Sequence, residues 1–153
     1  DGIVTVTLAD RDRGMRSYKP GRSPGQIHLM PAVAAFYAGM LVNVPLHSAQ
    51  LAKSVTGQDL HDCLAAHFDG LGLVRMAAAR ANDDTLLADN LLAADGLANA
   101  DHMELSVFAN QNNSQFWLLA RLDNLGKGAS GAAVQNMNIA LGLDEMMGLS
   151  TGV

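Results

Sequence analysis

The stretch that decides the fold of this chain is residues 120–143, ARLDNLGKGASGAAVQNMNIALGL. It starts with apolar residues at strand spacing, continues with three glycines within positions 126–131, and ends in alanine-rich, helix-forming sequence. Ser130 stands where a hydroxyl group commonly caps a helix N-terminus. The stretch therefore predicts a strand, a glycine-rich turn and a helix over residues 130–143.

The predicted helix carries no charge. Lys127 and Asp144 enclose 16 residues without a formal charge, and most polar members among them are amides. Apolar side chains lie on more than one side of the helix axis: Val134, Met137, Ile139, Leu141 and Leu143. A helix that is apolar nearly all round is covered on most sides, and one small sheet covers only one side, so we expect a second cover.

Alternating apolar residues predict further strands upstream of this stretch. We expect strands at 39–47, 103–109 and 116–122, and the turn-forming amides of 110–113 should join the last two as an antiparallel hairpin. Pro45 removes a main-chain donor, so the far end of the first strand should be an edge, a bulge or a strand terminus.

A capped helix is predicted between the first strand and the hairpin. Thr56 is its N-cap, Asp59 stands at its third position, and Gly70 closes it after Phe68. Weaker patterns predict a short strand within 3–8, a strand within 71–79 and a long excursion over 82–100.

Composition bounds the class of protein. The 153 residues have a formal net charge of −5, are 49% apolar and only 16% charged, which fits one folded domain. There is no basic stripe for a nucleic acid or an anionic membrane, and no segment is long and apolar enough to span a bilayer. The single cysteine, Cys63, excludes an internal disulfide and fits a reducing compartment, so we expect a cytoplasmic protein.

The glycine-rich turn is a candidate anion site. In residues 126–131, GKGASG, the glycines would let main-chain N–H groups approach a phosphate at the start of a helix. The sequence is not a Walker A motif, because Gly128 follows the lysine, and it is not a dinucleotide fingerprint. The alternative is a turn in which the glycines permit close packing.

The other candidates are single residues. The five histidines show no metal-ligand spacing, so we expect no metal site. His47 follows Pro45 at a strand end and is a candidate for substrate binding. Cys63 lies in the predicted helix and is explained equally well as a buried thiol. Trp117 is assigned to hairpin packing, because no basic residue interleaves with it.

Three stretches closely resemble the C-terminal half of the N-acetyl-gamma-glutamyl-phosphate reductase family, above all its shorter bacterial form. They are residues 36–47 (FYAGMLVNVPLH), 103–110 (MELSVFAN) and 120–143. The resemblance covers roughly residues 29–144. It implies an unmatched strand and tether over 1–26, followed over 27–153 by a substrate-binding and dimerisation domain that includes helix 130–143.

The fold that the resemblance implies is α+β, similar to the C-terminal domain of glyceraldehyde-3-phosphate dehydrogenase, with a mixed, largely antiparallel sheet. The implied parent enzyme of arginine biosynthesis uses NADPH to convert N-acetyl-γ-glutamyl phosphate to N-acetylglutamate semialdehyde. A Rossmann domain, missing from this chain, would hold NADP(H) and supply the second cover of the helix. The implied partners are a small acyl-phosphate substrate and a second copy of the chain in a homo-oligomer, without nucleic acid or membrane.

Site residues carry over from the resemblance by position. Those that would approach NADP(H) are Lys127, Gly128, Ala129, Ser130, Gly131 and Asn136. His47 is the candidate on the substrate side. The family's reactive cysteine and acid/base histidine belong to upstream motifs that neither Cys63 nor His28 matches. We therefore expect no catalytic residue in this chain and no activity from it alone.

Two other interpretations stay open. One is a non-enzymatic module of the same fold that binds a small anion or a protein, and the other is a purely structural dimer module. A wide exposed apolar patch on residues 128–143 would favour a separated enzyme domain, whereas a helix enclosed by its own domain would favour a module.

Overall fold

The structure is a computed structural model that describes residues 9–10, 14–15, 35–77, 86–87 and 91–150. The chain divides into two compact units, Asp1–Ala35 and Phe36–Val153. In the first unit, Ala9–Asp10 pairs antiparallel with Gly14–Met15. The strand predicted within 3–8 lies outside the described residues.

The second unit is built on a four-stranded mixed sheet. Its strands are β1 (Met40–His47), β2 (Val74–Met76), β3 (Met103–Ala109) and β4 (Gln115–Leu122). The order across the sheet is β1-β4-β3-β2, in which β4 is antiparallel to both of its neighbours and β2 runs parallel to β3. Two helices, α1 (Gly57–Phe68) and α2 (Gly131–Ala140), complete the predicted α+β domain. A separate short ladder pairs Leu86–Leu87 with Leu91–Leu92.

Three of the predicted strands are confirmed as β1, β3 and β4, with bounds that differ from expectation by one residue at most. Pro45 lies on β1, an edge strand of the described sheet, as predicted. The strand predicted within 71–79 is only Val74–Met76. Main-chain bonds from Leu71 N to Phe68 O and from Val74 N to Leu71 O hold the preceding residues in a turn.

The capping box of α1 forms as the sequence predicts. Thr56 Oγ1 accepts a hydrogen bond from Asp59 N at 3.1 Å, and the Asp59 carboxylate accepts one from Thr56 N at 2.7 Å. That second bond is the main cause that lowers the pKa of Asp59. Gly70, at φ 74°, ends the helix in a conformation that favours glycine. In the hairpin turn, the Asn113 side chain accepts a bond from Gly57 N at 2.9 Å and ties α1 to the sheet.

The core forms where a run of turns closes over the sheet. The described part of the predicted 82–100 excursion contains consecutive turns over 94–99. The guanidinium of buried Arg121 bonds both the Glu104 carboxylate on the neighbouring strand and the main-chain oxygen of Ala93. The buried apolar residues are Ala38, Leu73, Leu97, Ala100, Phe116, Leu119 and Leu122.

His102 introduces a pH-sensitive group into this core. The residue is buried, and its Nδ1 has no hydrogen-bond partner in the described part of the chain. Burial lowers its pKa below the ordinary 6.5, and the charges of Arg75 and Arg121 add to this while Glu104 opposes it. The unfolded chain therefore takes up a proton that the folded chain excludes, so stability should fall as the pH drops below 6.5.

We expect His102→Met to flatten this dependence, because the variant has no imidazole to protonate on unfolding. The measurement is the free energy of unfolding from urea titrations at about pH 5.5 and about pH 7.5. His67→Gln, which removes an exposed histidine of α1, is the control and should keep the wild-type difference. If the free energy of unfolding differs between the two pH values as much in His102→Met as in the wild type, His102 is not the source of the pH dependence.

Candidate functional site

The glycine-rich turn after β4 is a single turn of π-helix, Gly126–Ser130, that continues directly into α2. Its main-chain bonds span five residues, from Gly128 N to Asp123 O at 2.8 Å and from Ser130 N to Leu125 O at 3.0 Å. Such turns are rare and occur frequently at functional sites. The predicted site residues 127–131 thus occupy one wide helical turn at the end of the sheet.

Asp123 organises this turn. Its buried carboxylate accepts hydrogen bonds from the N–H groups of Leu125 at 2.7 Å, Gly126 at 3.1 Å and Asn99 at 2.6 Å. The N–H groups that a phosphate would use at the start of the turn are therefore already bonded within the chain. The glycines do not build the main-chain anion cradle considered above.

The same bonds set the charge of Asp123. Burial alone raises the pKa of this carboxyl, but the hydrogen bonds from Gly126, Leu125 and Asn99 outweigh burial and hold it below the ordinary 3.8. The carboxylate is thus a fixed negative charge at the N-terminus of the joined π and α helices, where the helix dipole favours it.

Ser130 does not cap α2, so that prediction is wrong. Its backbone is helical (φ −63°, ψ −42°) and its Oγ donates to Leu125 O at 2.8 Å, because the helical path has already begun in the π turn. The helix also ends before residue 143. Gly142, at φ 68°, and a bond from Leu143 N to Asn138 O at 2.9 Å close it after Ala140.

Two of the glycines are explained by packing. A Cβ at Gly131 would collide with the Asp101 carboxylate, and one at Gly126 would lie 2.9 Å from Ala100 O. Residues 100–101 approach the turn this closely only because both positions lack a side chain. The close-packing alternative is therefore supported at these two glycines.

Lys127 is held by a side chain of α2. Its Nζ donates to Gln135 Oε1 at 2.6 Å, and Gln135 Nε2 lies 3.5 Å from Glu145 Oε2. All three side chains are half-buried. The ion pairs of the described residues join other groups, so the ammonium is ordered without a direct counter-ion there.

The two asparagines of α2 lie in opposite environments. Asn136 is exposed and accessible to a ligand. Asn138 is 2% exposed, and its Nδ2 donates to the main-chain oxygens of Glu145 at 3.2 Å and Met147 at 2.9 Å. Asn138 therefore holds the C-terminal segment against the helix, and Asn136 is free of that role.

The large apolar side chains of α2 face outward. Within α2 only Gly131 and Asn138 are buried. The exposed fraction is 53% for Met137, 55% for Ile139 and 66% for Leu141, which directly follows the helix. We call these three residues the α2 apolar surface; Met137 and Leu141 lie on one side of the helix axis and Ile139 on another. The cover expected for this helix is not supplied by the described part of the chain. After the helix, the side chains of Leu143, Met146 and Met147 are exposed as well.

His47 does not join these residues. It ends β1 opposite Gln115, whereas Met40, at the start of β1, lies opposite Leu122 near the glycine-rich turn. At about 3.3 Å per residue, the length of β1 places His47 about 23 Å from that end of the sheet. The structure therefore brings together residues 127–131 and places His47 at the other end.

Three further expectations concern the rest of the unit. Cys63 is exposed on α1, so its interpretation as a buried thiol is wrong. Trp117 donates from Nε1 to Asn43 Oδ1 at 3.0 Å and lies with its ring centre 6.3 Å from that of Phe108, which confirms its place in hairpin packing. Within the described ranges, no group of three or more His, Cys, Asp or Glu residues is placed to hold a metal ion, and no helix could span a membrane.

Sequence reasoning missed Asp123, Gln135 and Asn138. Asp123 is itself a residue type preferred at a helix start, and it precedes Ser130 in the chain. It was therefore a competing signal for where the helical path begins. The amides of an otherwise apolar helix were also a signal, because a buried amide needs partners and thus marks the side that faces the protein.

Comparison with known proteins gives one consistent name. No protein-family model matches the chain. The N-acetyl-gamma-glutamyl-phosphate reductase of Trichormus variabilis is 45% identical over 121 residues, which are 78% of this chain and 37% of that protein. Proteins of the same name from Rhizobium rhizogenes and Burkholderia ambifaria are 45% identical over 111 residues and 42% identical over 118 residues, or 72% and 74% of this chain and 34% and 35% of those proteins. The chain spans about a third of the length of these curated relatives.

Proposed function

We propose that this chain, which is homologous to part of the N-acetyl-gamma-glutamyl-phosphate reductases, is the substrate-binding and dimerisation half of such an enzyme. The parent activity is NADPH-dependent reduction of N-acetyl-γ-glutamyl phosphate to N-acetylglutamate semialdehyde, with release of phosphate, in cytoplasmic arginine biosynthesis. The proposed fold is that of the C-terminal domain of glyceraldehyde-3-phosphate dehydrogenase, and the mixed sheet followed by α2 supports it.

The observation that carries this proposal is the α2 apolar surface. Its three residues are each more than half exposed, and no acidic or basic residue lies between Lys127 and Asp144. Exposed apolar patches of this kind mark surfaces that bind another protein or domain. We propose that the occupant is the dinucleotide-binding domain, since this chain covers only 37% of a relative that is 45% identical to it.

The side chains near the start of α2 fit an anionic dinucleotide. Lys127 offers a positive charge without a direct counter-ion in the described residues, and residues 128–143 contain no carboxylate. The nearby carboxylates of Asp101 and Asp123 accept hydrogen bonds from main-chain N–H groups of the chain itself. The residues proposed to lie beside NADP(H) are Lys127, Gly128, Ala129, Ser130, Gly131 and Asn136. NADPH, when bound, supplies the hydride. The chain's own part is to bind and orient the dinucleotide and to exclude water with its uncharged helix.

The remaining groups are assigned elsewhere. His47 is not part of the proposed cofactor site, because the length of β1 separates the two; we keep it as the candidate on the substrate side. The reacting cysteine and the acid/base histidine are proposed to lie outside this chain.

We also propose a homo-oligomer, because Met40, Val42 and Val44 expose 42–45% of their surface along β1. The module interpretations are less well supported, since an enclosed α2 would favour them and the α2 apolar surface is exposed.

The test of this proposal is turnover. The complementary segment is the part of the Trichormus variabilis reductase that this chain does not match. The chain alone, with NADPH and N-acetyl-γ-glutamyl phosphate, should give no NADPH oxidation above the blank, and addition of the complementary segment should give a clear rate. The complementary segment alone is the control and should be inactive. Turnover by the chain alone, or no gain on mixing the two folded parts, would contradict the proposal.

A further inference from the structure

The ammonium of the half-buried Lys127 is held by a hydrogen bond to a side-chain amide rather than by an ion pair with a carboxylate. Its Nζ donates to Gln135 Oε1 at 2.6 Å, and Gln135 Nε2 in turn lies 3.5 Å from Glu145 Oε2. The residues of this chain of contacts lie on three segments, the π turn, α2 and the C-terminal segment.

The orientation of the Gln135 amide follows from its two neighbours. An ionised carboxylate only accepts hydrogen bonds, and an ammonium only donates them. The NH₂ end of the amide must therefore face Glu145 and the oxygen must face Lys127. Glu145 is itself fixed, because the buried Asn138 donates to its main-chain oxygen at 3.2 Å.

The arrangement holds Lys127 without cancelling its charge. An ammonium has three donors, and Gln135 uses one of them, which leaves two for another acceptor. A carboxylate at position 135 would also hold the lysine, but it would neutralise the charge that attracts an anion. The neutral amide therefore keeps the ammonium both ordered and attractive to an anion.

We propose that Gln135 is a positioning residue that holds the Lys127 ammonium for a phosphate group. The inference rests on the proposed function only for the molecule that carries this phosphate, either the dinucleotide or the acyl phosphate. The phosphate is bound by the side chain, since the main-chain N–H groups at the start of the turn are taken by Asp123.

The experiment is trace acetylation of the whole chain with acetic anhydride, read by mass spectrometry. Each lysine amine gains an acetyl group and releases acetate, and the exposed Lys53 is the internal reference. In the wild type, pyrophosphate should slow the acetylation of Lys127 relative to Lys53 by about threefold against sodium chloride of equal ionic strength. Separate arms with NADP⁺ and with inorganic phosphate report which molecule supplies the group.

Two variants separate positioning from structure. Gln135→Leu should raise the Lys127 rate by about threefold and abolish protection by pyrophosphate, because the ammonium loses its acceptor. Gln135→Glu should keep Lys127 slow and still abolish protection, because the new carboxylate competes with the anion. Gln111→Leu, on the exposed hairpin turn, is the matched control and should behave as wild type.

The proposal is overturned if Lys127 reacts equally fast in the wild type and Gln135→Leu, or if pyrophosphate protects Gln135→Glu as well as it protects the wild type. Protection by phosphate and pyrophosphate but not by NADP⁺ would support the role of Gln135 and count against the dinucleotide site of the proposed function.

Discussion

Asp123→Ala should lower the free energy of unfolding by about 3 kcal/mol or more, since bonds from main-chain N–H groups to a buried charge are each worth about 1.5–3 kcal/mol. The variant leaves the N–H groups of Leu125, Gly126 and Asn99 without their acceptor. It also removes a negative charge that interacts favourably with the helix dipole at the N-terminus. Urea titration followed by circular dichroism measures the effect. Asp69→Ala, at an exposed carboxylate, is the control and should change stability by less than about 0.5 kcal/mol.

The effect of Asp123 should also depend on pH in one direction. Its pKa is lowered in the folded chain, so its carboxylate stabilises the fold above the ordinary 3.8, and this contribution is lost as the pH falls through the lower folded value. The stability difference between wild type and Asp123→Asn should therefore be largest near neutral pH and shrink in acid. A difference that stays constant down to about pH 2 would show that charge is not the cause.

Local signals were sufficient for most of the fold. The Thr56 and Asp59 capping box depends on residues three positions apart, and it formed as predicted. Strand alternation and the amide-rich turn likewise identify β3 and β4 without any distant contact. β2 was predicted too long, because its bounds depend on which residues pair with β3 far along the chain.

The start of α2 could not be predicted in this way. Ser130 is a good N-cap by local rules, but Asp123 begins the helical path earlier through a π turn, and its third bond comes from Asn99 in a distant segment. The sequence also predicts a main-chain anion cradle, but in the folded chain the N–H groups at the start of that turn donate to Asp123. Residues that meet only in the folded chain decided both outcomes.

Leu141→Lys should weaken association of the chain with the complementary segment by about 100-fold or more, because burial of an unpaired ammonium against apolar surface costs several kcal/mol and 1.4 kcal/mol is tenfold. The folded chain itself should tolerate the change, since Leu141 is 66% exposed. Titration calorimetry measures the affinity. Gln111→Lys adds the same charge at the exposed hairpin turn and should bind like the wild type.

Two results of this substitution would contradict the proposal, one on whether Leu141 is exposed and the other on whether the complementary segment docks there. If Leu141→Lys unfolds the chain, the side chain is covered within its own domain and the α2 apolar surface does not exist. If the variant folds and binds the complementary segment as tightly as the Gln111→Lys control, the partner docks elsewhere. Met137→Lys, at a residue 53% exposed on the same helix, should repeat the result.

Hydrogen–deuterium exchange of the chain with and without the complementary segment tests directly whether α2 is the docking surface. We expect slower exchange on binding over Gly131–Ala140 and the residues that follow, with little change over the exposed face of α1 (Gly57–Phe68). Unchanged exchange in α2, under conditions where the two parts are shown to associate, would contradict the claim that this uncharged helix is the surface on which the rest of the enzyme docks.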